Sequence, residues 1–259
     1  MPKTQATATP EPAKPRETTA EFIASIASLL VLALFITTFC MQAFEIPSAS
    51  MEKTLLIGDH VFVDRLRLAP KADWISWLLP YRNPQHGDIV VFVSTSTPGM
   101  YVVKRIIGLP GDHLKLVNGV VYRNGLALNE PYVNHLAINE YTRPYRENFP
   151  NVEPPPDADV TTAWQMEFPS HIKNGELIVP PGNYFGMGDN RDDSLDSRFW
   201  GFIPQENVVG RPMFIYWSFE TPAGQWEKNS VGERLAFLVH IITHFPVETR
   251  WSRTFRVVR

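Results

Sequence analysis

Between Phe22 and Phe44 the chain runs for 23 residues without an Asp, Glu, Lys or Arg. As an α-helix rising ~1.5 Å per residue, such a stretch reaches about 34 Å and crosses a bilayer core of ~30 Å with slight tilt. It is long for a cleavable secretion signal and has no compact small-residue cleavage site at its end. A buried core helix rarely lacks all charge for so long. The expectation is one retained transmembrane helix over 22–44. Ahead of it, residues 1–21 are rich in Pro, Ala and Thr with no apolar period, which reads as a disordered tail. Lys3, Lys14 and Arg16 precede the helix, while Glu45, Glu52 and Lys53 follow it. The positive-inside tendency then places the tail in the cytoplasm and the rest of the chain outside.

After Glu45 the pattern changes. Segments such as HVFVDRL, DIVVFVS, YVVKRIIGL and RPMFIYWSF are short, rich in β-branched and aromatic residues, and bounded by turn formers. Pro (23) outnumbers Gly (15), which favours turns and edge strands over long helices. The expected fold is mainly β, with antiparallel sheets forming a partly open barrel-like core, a loop-rich inserted subdomain and one preceding transmembrane helix. Residues 45–227 form the extracytoplasmic domain, its core at about 45–112 and 182–227 and its insertion at about 113–181. Residues 228–259 form a C-terminal segment with a short helix and a tail. The single cysteine, Cys40, lies in the apolar run, so an intrachain disulfide and an extramembrane thiol site are both excluded. A formal charge of -3 without a basic block gives no footprint for nucleic acid.

Three fragments carry polar groups that invite chemistry. IPSASMEKTL places Ser48 and Ser50 two residues apart just after the apolar run, where an extended backbone turns both hydroxyls to one side. Serines beside Pro47 also serve simply as turn residues. YVVKRIIGLPGD sets Lys104 and Arg105 in an apolar strand, where alternation sends them to opposite faces and one toward packed surface. A buried, unpaired lysine responds with a depressed pKa, whereas a lysine on the solvent face does not. YFGMGDNRDDSLDSRFWGFIP crowds four aspartates, two arginines and two serines between apolar strands. It fails as a calcium loop, because Arg191 and Ser194 take the third and sixth positions counted from Asp189.

Taken together the fragments resemble bacterial type I signal peptidases, a family of Ser/Lys proteases. The matching boxes are PSASM (47–51), GDHVFVDR (58–65), GDIVVF (87–92), YVVKRIIGLPGD (101–112) and GDNRDDSLDSRFWGFIP (188–204), in the family's order, with the likeness covering roughly 22–217. The resemblance implies a membrane-anchored serine endopeptidase that removes signal peptides from exported preproteins through an acyl-enzyme. Residue by residue it implies Ser50 as nucleophile, Lys104 as general base, and Ser48 with the Ser50 N–H as oxyanion donors. It further implies Ser194 as the hydroxyl orienting the lysine, and Asp196 with Arg198 as a structural ion pair, which their i, i+2 spacing permits on a strand; Asp189 and Arg105 are taken as further support. Membrane-bound preproteins with small residues at -1 and -3 are the implied partners, together with the bilayer itself. The implied location is the bacterial inner (cytoplasmic) membrane in a single pass.

The chemistry fits these residue types. Lysine at its reference pKa of ~10.4 is neutral in only about 1 of 2,500 molecules at pH 7, and a shift to ~8 raises that to about one tenth. Desolvation in an apolar strand supplies the shift, and Arg105 or another nearby cation adds to it. A hydroxyl such as Ser194 orients the amine without restoring its charge, as a carboxylate there would. One position departs from the family: SMEKTL has Lys53 where a proline is usual, which frees φ and adds an N–H.

Other features contribute less. WISWLLPY (74–81) is an aromatic patch suited either to a membrane interface or to the core. His240 and His244 stand at i, i+4 in a C-terminal helical pattern, ERLAFLVHIITHF, but no third ligand has matching spacing, so neither metal nor cofactor is expected. A self-cleaving Ser/Lys protein of the repressor type would carry a DNA-binding domain in place of the membrane helix. An inactive β scaffold is the reading from another class, favoured if Ser50, Lys104 or Ser194 were missing; all are present.

Overall fold

The computed structural model describes residues 18–68, 81–135, 141–228 and 230–259. Most of the expected disordered tail and all but Tyr81 of the 74–81 patch lie outside the described residues. Helix α1 (Thr19–Phe35) opens on a capping box, in which the Thr18 hydroxyl accepts from Glu21 N–H and the Glu21 carboxylate accepts from Thr18 N–H. It continues as a π-helical turn over Ile36–Cys40. The 22 residues Thr19–Cys40, mean hydropathy 2.4, are long and apolar enough to cross a membrane, and none is buried against the rest of the chain. The expected helix over 22–44 therefore ends early, because Met41–Glu45 is strand β1. An apolar run alone does not distinguish a helix from a strand, and pairing with the next strand decides it.

The remaining elements follow in chain order: β2 (Asp59–Asp64), β3 (Ile89–Val93), β4 (Tyr101–Gly108), β5 (His113–Val117), β6 (Val120–Arg123), β7 (Leu126–Ala127), α2 (Arg143–Glu147), α3 (Thr162–Glu167), β8 (Ile172–Lys173), β9 (Glu176–Ile178), β10 (Asn183–Met187), α4 (Ser197–Trp200), β11 (Ile203–Pro204), β12 (Val208–Ser218) and α5 (Val231–Glu248). Seven strands form one curled antiparallel sheet in the order β1-β2-β12-β3-β4-β10-β11. Its curl centres on β12, which pairs with β3 at Val208–Gly210 and with β2 at Arg211–Ser218, with register shifts in both pairings. The result is the partly open barrel expected of so many short antiparallel strands. Its central strand β3 is buried on both faces, which is why it reads as an unbroken apolar run. Ile89 and Val91 enter one core with Met51, Leu55 and Val61, while Val90 and Phe92 enter another with Ile106 and Tyr184.

The second sheet, β7-β6-β5-β9-β8, comes from residues 113–178. It shares its core with the first, since Leu114, Val121 and Leu177 cluster with Phe185, Met187 and Phe199. At the other end, α5 is longer than the short helix expected and runs through Pro246. The tail then returns along β12: Ile215 N–H donates to Arg256 O at 2.9 Å and Val258 N–H to Met213 O at 2.9 Å. Fully buried Asp59 anchors this return, accepting from Arg253 (2.5 and 3.1 Å), Ser218 Oγ (2.6 Å) and Leu56 N–H (2.8 Å). Arg253→Met strands that carboxylate away from water and is expected to destabilise the protein by about 3 kcal/mol. Thermal unfolding of the detergent-solubilised chain measures this, and an unchanged midpoint would mean that Arg250, 3.7 Å from Asp59, suffices.

Candidate active site

The chain leaves β1 through Ile46 and Pro47, passes Ser48 in an extended conformation, and folds into a single 3-10 turn at Ala49–Met51. Ser48 and Ser50 are therefore not both on an extended segment, as expected from spacing. The turn nonetheless keeps their hydroxyls 3.4 Å apart. The Ser48 side chain makes no capping hydrogen bond to the turn, and the leading N–H groups of such a turn, Ser50's among them, have no partner within it.

Strand β4 brings Lys104 to this turn. Its Nζ donates to Ser50 Oγ at 2.6 Å, with Lys104 3% and Ser50 9% exposed. Once the amine is neutral the same contact runs in reverse, with the serine O–H donating to the nitrogen lone pair. Burial pulls the Lys104 pKa down to about 8 against the pull of Asp196, Asp189 and Asp193, and Arg198 adds to the lowering. The assisting cation is thus Arg198 rather than Arg105. Arg105, also buried, is engaged by Asp189 in a two-point ion pair (2.8 and 2.7 Å) and stacks on the Tyr132 ring.

The loop after β10 closes over the pair, and Gly188 lets it approach. A Cβ there would lie 2.3 Å from Ser194 Oγ and 2.5 Å from Ser50 O. Ser194 Oγ is buried and has no hydrogen-bond partner, so it flanks the dyad without bonding Lys104. Asp196 and Arg198 form the expected ion pair, at 2.8 Å and fully buried. They do so at a helix start rather than on a strand, since Asp196 is the N-cap of α4 and accepts from Arg198 N–H. Burial would raise the Asp196 carboxyl, but the Arg198 charge and hydrogen bonds hold it at about 2.

Several residues that hold the site escaped sequence reasoning. Asn190 N–H donates to Ser50 O at 3.1 Å and its side chain to Ala49 O at 3.2 Å, fastening the nucleophile turn to the acidic loop. Thr54 Oγ1 donates to Asp189. Arg146, on α2, donates to Ser194 O at 2.7 Å and its own carbonyl accepts from Arg198 at 3.0 Å. Asn190 stood inside a quoted box, whereas nothing in its local sequence marked Arg146. Lys53 has φ +79°, a conformation closed to proline, and its Nζ donates to Val133 O at 2.7 Å. The departure from the family's proline is thus matched by a different local backbone.

Beside Ser50 opens an apolar cleft of about 200 Å³ walled by Ile46, Met51, Val91, Val103 and Trp226. Its polar lining is Glu45, Ser48 and Ser50. The chemistry this arrangement supports is attack by an activated hydroxyl on a carbonyl bound across the turn. Among the described residues, His240, His244 and Glu248 form a cluster of potential metal ligands, on α5 and outside the dyad.

Two predictions follow from this geometry. With Lys104 as the base, kcat/KM rises about tenfold per pH unit below ~8 and levels off above it. Lys104→Arg, which cannot lose its proton, is flat and inactive across the same range in a preprotein-cleavage pH profile. Lys53→Gly keeps the left-handed backbone and near-normal cleavage, while Lys53→Pro forces the turn out of shape and lowers cleavage at least about tenfold.

A family model described as signal peptidase, peptidase S26, matches residues 19–217. The chain is 31% identical over 252 residues to a signal peptidase I of Buchnera aphidicola subsp. Baizongia pistaciae, covering 82% of this chain and 81% of that one. It is 30% identical over 262 residues to the signal peptidase I of Rickettsia typhi, covering 94% and 95%. A crystal structure of a signal peptidase I from Enterococcus faecalis shares 33% identity over 50% of this chain and 97% of that one, with a TM-score of 0.35.

Proposed function

Because the chain belongs to the signal peptidase family, peptidase S26, and is a membrane-anchored serine endopeptidase that removes signal peptides, we propose that Ser50 and Lys104 are the dyad that does so. The observation that carries this assignment is the 2.6 Å contact between Lys104 Nζ and Ser50 Oγ in a buried site. Neutral Lys104 takes the proton as Ser50 Oγ attacks the scissile carbonyl, then passes it to the leaving amine. Water, activated by the same amine, hydrolyses the acyl-enzyme. The Ser48 hydroxyl and the Ser50 N–H receive the developing oxyanion. Ser194 supplies a hydroxyl beside the amine, and the Asp196–Arg198 and Asp189–Arg105 pairs support the loop.

Substrates are membrane-bound preproteins with small residues at -1 and -3, a preference supported by the narrow apolar cleft next to Ser50. The protein spans the bacterial inner membrane once, with its N-terminus in the cytoplasm, as the charges before and after α1 favour. The test is cleavage of such a preprotein by the full-length protein in detergent or vesicles. Ser50→Ala and Lys104→Ala are expected to fall below detection. Ser48→Ala should lose about 10²–10³ in kcat with little change in KM, and Ser194→Ala less than that. Processing by the Ser50 and Lys104 variants at the wild-type rate would refute the dyad.

A further inference from the structure

The last 42 residues lie beyond the part of the chain matched by the family model, which ends at Trp217. They hold a cluster that the peptidase chemistry does not use. On α5, His240, His244 and Glu248 sit at i, i+4 and i+8, with one ligand atom from each lying within 4.8 Å of the others. Sequence spacing showed the two histidines and no third ligand, because the helical pattern was read as ending before Pro246. The helix instead runs through Pro246 and delivers Glu248 to the same face.

We propose that His240, His244 and Glu248 bind a divalent transition-metal ion, with zinc as the ion of best-fitting donor set. Two imidazoles and one carboxylate make a borderline nitrogen and oxygen set, and three protein ligands leave a fourth position open. The ligands are already oriented. Glu248 Oε2 meets His240 Nε2 at 2.7 Å, and a metal would replace the proton they share. His244 Nδ1 lies 3.1 Å from His240 O and 2.8 Å from Thr243 Oγ1. Donation to the carbonyl, which can only accept, puts the proton on Nδ1 and leaves Nε2 free to ligate. Glu248 is fixed through its own backbone, since Glu220 N–H donates to Glu248 O at 3.0 Å and so ties the ligand to the segment just after β12.

The site opens on a cavity of about 550 Å³ lined by His240, Glu248, Glu220, Arg250, Ala49 and Glu52 among others. Arg250 does not compete for Glu248, because its guanidinium donates to Ser218 Oγ (3.1 Å) and Ile57 O (3.0 Å). A metal here would pin the last two turns of α5, whose end is tied to Glu220, and would border a cavity that Ala49 also lines. It acts as a clamp and takes no part in bond cleavage.

The experiment is calorimetric titration of Zn²⁺ into the untagged, chelator-stripped full-length protein in detergent, with thermal unfolding followed in parallel. The wild type is expected to bind one equivalent and to unfold at a higher temperature when loaded. His244→Ala and the near-isosteric Glu248→Gln should each weaken binding at least about tenfold and abolish the zinc-dependent rise. Both variants should still cleave preprotein, which shows that they are folded. Absence of saturable binding by the wild type, or equal binding by a His240→Ala/His244→Ala double variant, would overturn the proposal; the latter would leave His240–Glu248 as an ordinary ion pair.

Discussion

A lysine serves as a base only when it is neutral, and in this fold burial brings the Lys104 pKa down to about 8, where a usable neutral fraction exists near neutral pH. That constraint organises much around it. Lys104 lies in the buried half of β4, 3% exposed, and burial is the largest influence on its pKa. The same burial would be intolerable for an amine without a polar partner, and Ser50 Oγ at 2.6 Å provides one. The nearby aspartates oppose the shift. Their effect is contained because Asp196 and Asp189 are each held by an arginine at hydrogen-bonding distance, so each presents a pair rather than a lone charge to the amine. An acidic loop beside a neutral lysine is consistent only with that arginine partnering.

The second sheet has a role in this arrangement. Its elements do not touch the dyad, yet α2 and α3 grip the loop that closes on it. Arg146 holds Ser194 O, while Tyr145 and Trp164 both donate to Arg198 O. Glu130 pairs with buried Arg191 at 2.6 Å. A loop with this density of buried charge would be strained or mobile if left on the surface. Packed against a shared core of Leu114, Tyr145, Phe149 and Phe199, it becomes a fixed wall of the site.

The local periodicities made the strands and their antiparallel arrangement legible, and the ordered boxes made Ser50 and Lys104 legible as a pair although neither stood out alone. What escaped had physical reasons. The end of the membrane helix was hidden because Met41–Phe44 is as free of charge as the residues before it, and only pairing with β2 makes it a strand. Which cation assists Lys104 stayed open in the sequence, because Arg198 is distant in the chain, whereas adjacent Arg105 is engaged by Asp189 84 positions away. Arg146 acts through a carbonyl, which no side-chain motif announces. Glu248 lay past a proline, an ordinary stop signal, which the last turn of α5 tolerates.

The early end of the helix also alters how the site relates to the membrane. Counted from Phe44, Ser50 would be within ~20 Å of the helix end; counted from Cys40, ten residues allow up to ~33 Å. The structure compensates by spending the first five residues after the helix on β1, whose far end supplies Phe44 and Glu45, with Ile46 just beyond, to the wall of the cleft beside Ser50. The segment that leaves the membrane is thus itself part of the binding surface. If the substrate's own apolar segment lies alongside α1, as the proposed function has it, its peptide would reach the cleft along that strand. On the proposed reading this favours substrates held in the same membrane over soluble peptides, because β1 begins directly where the π-helical turn after α1 ends.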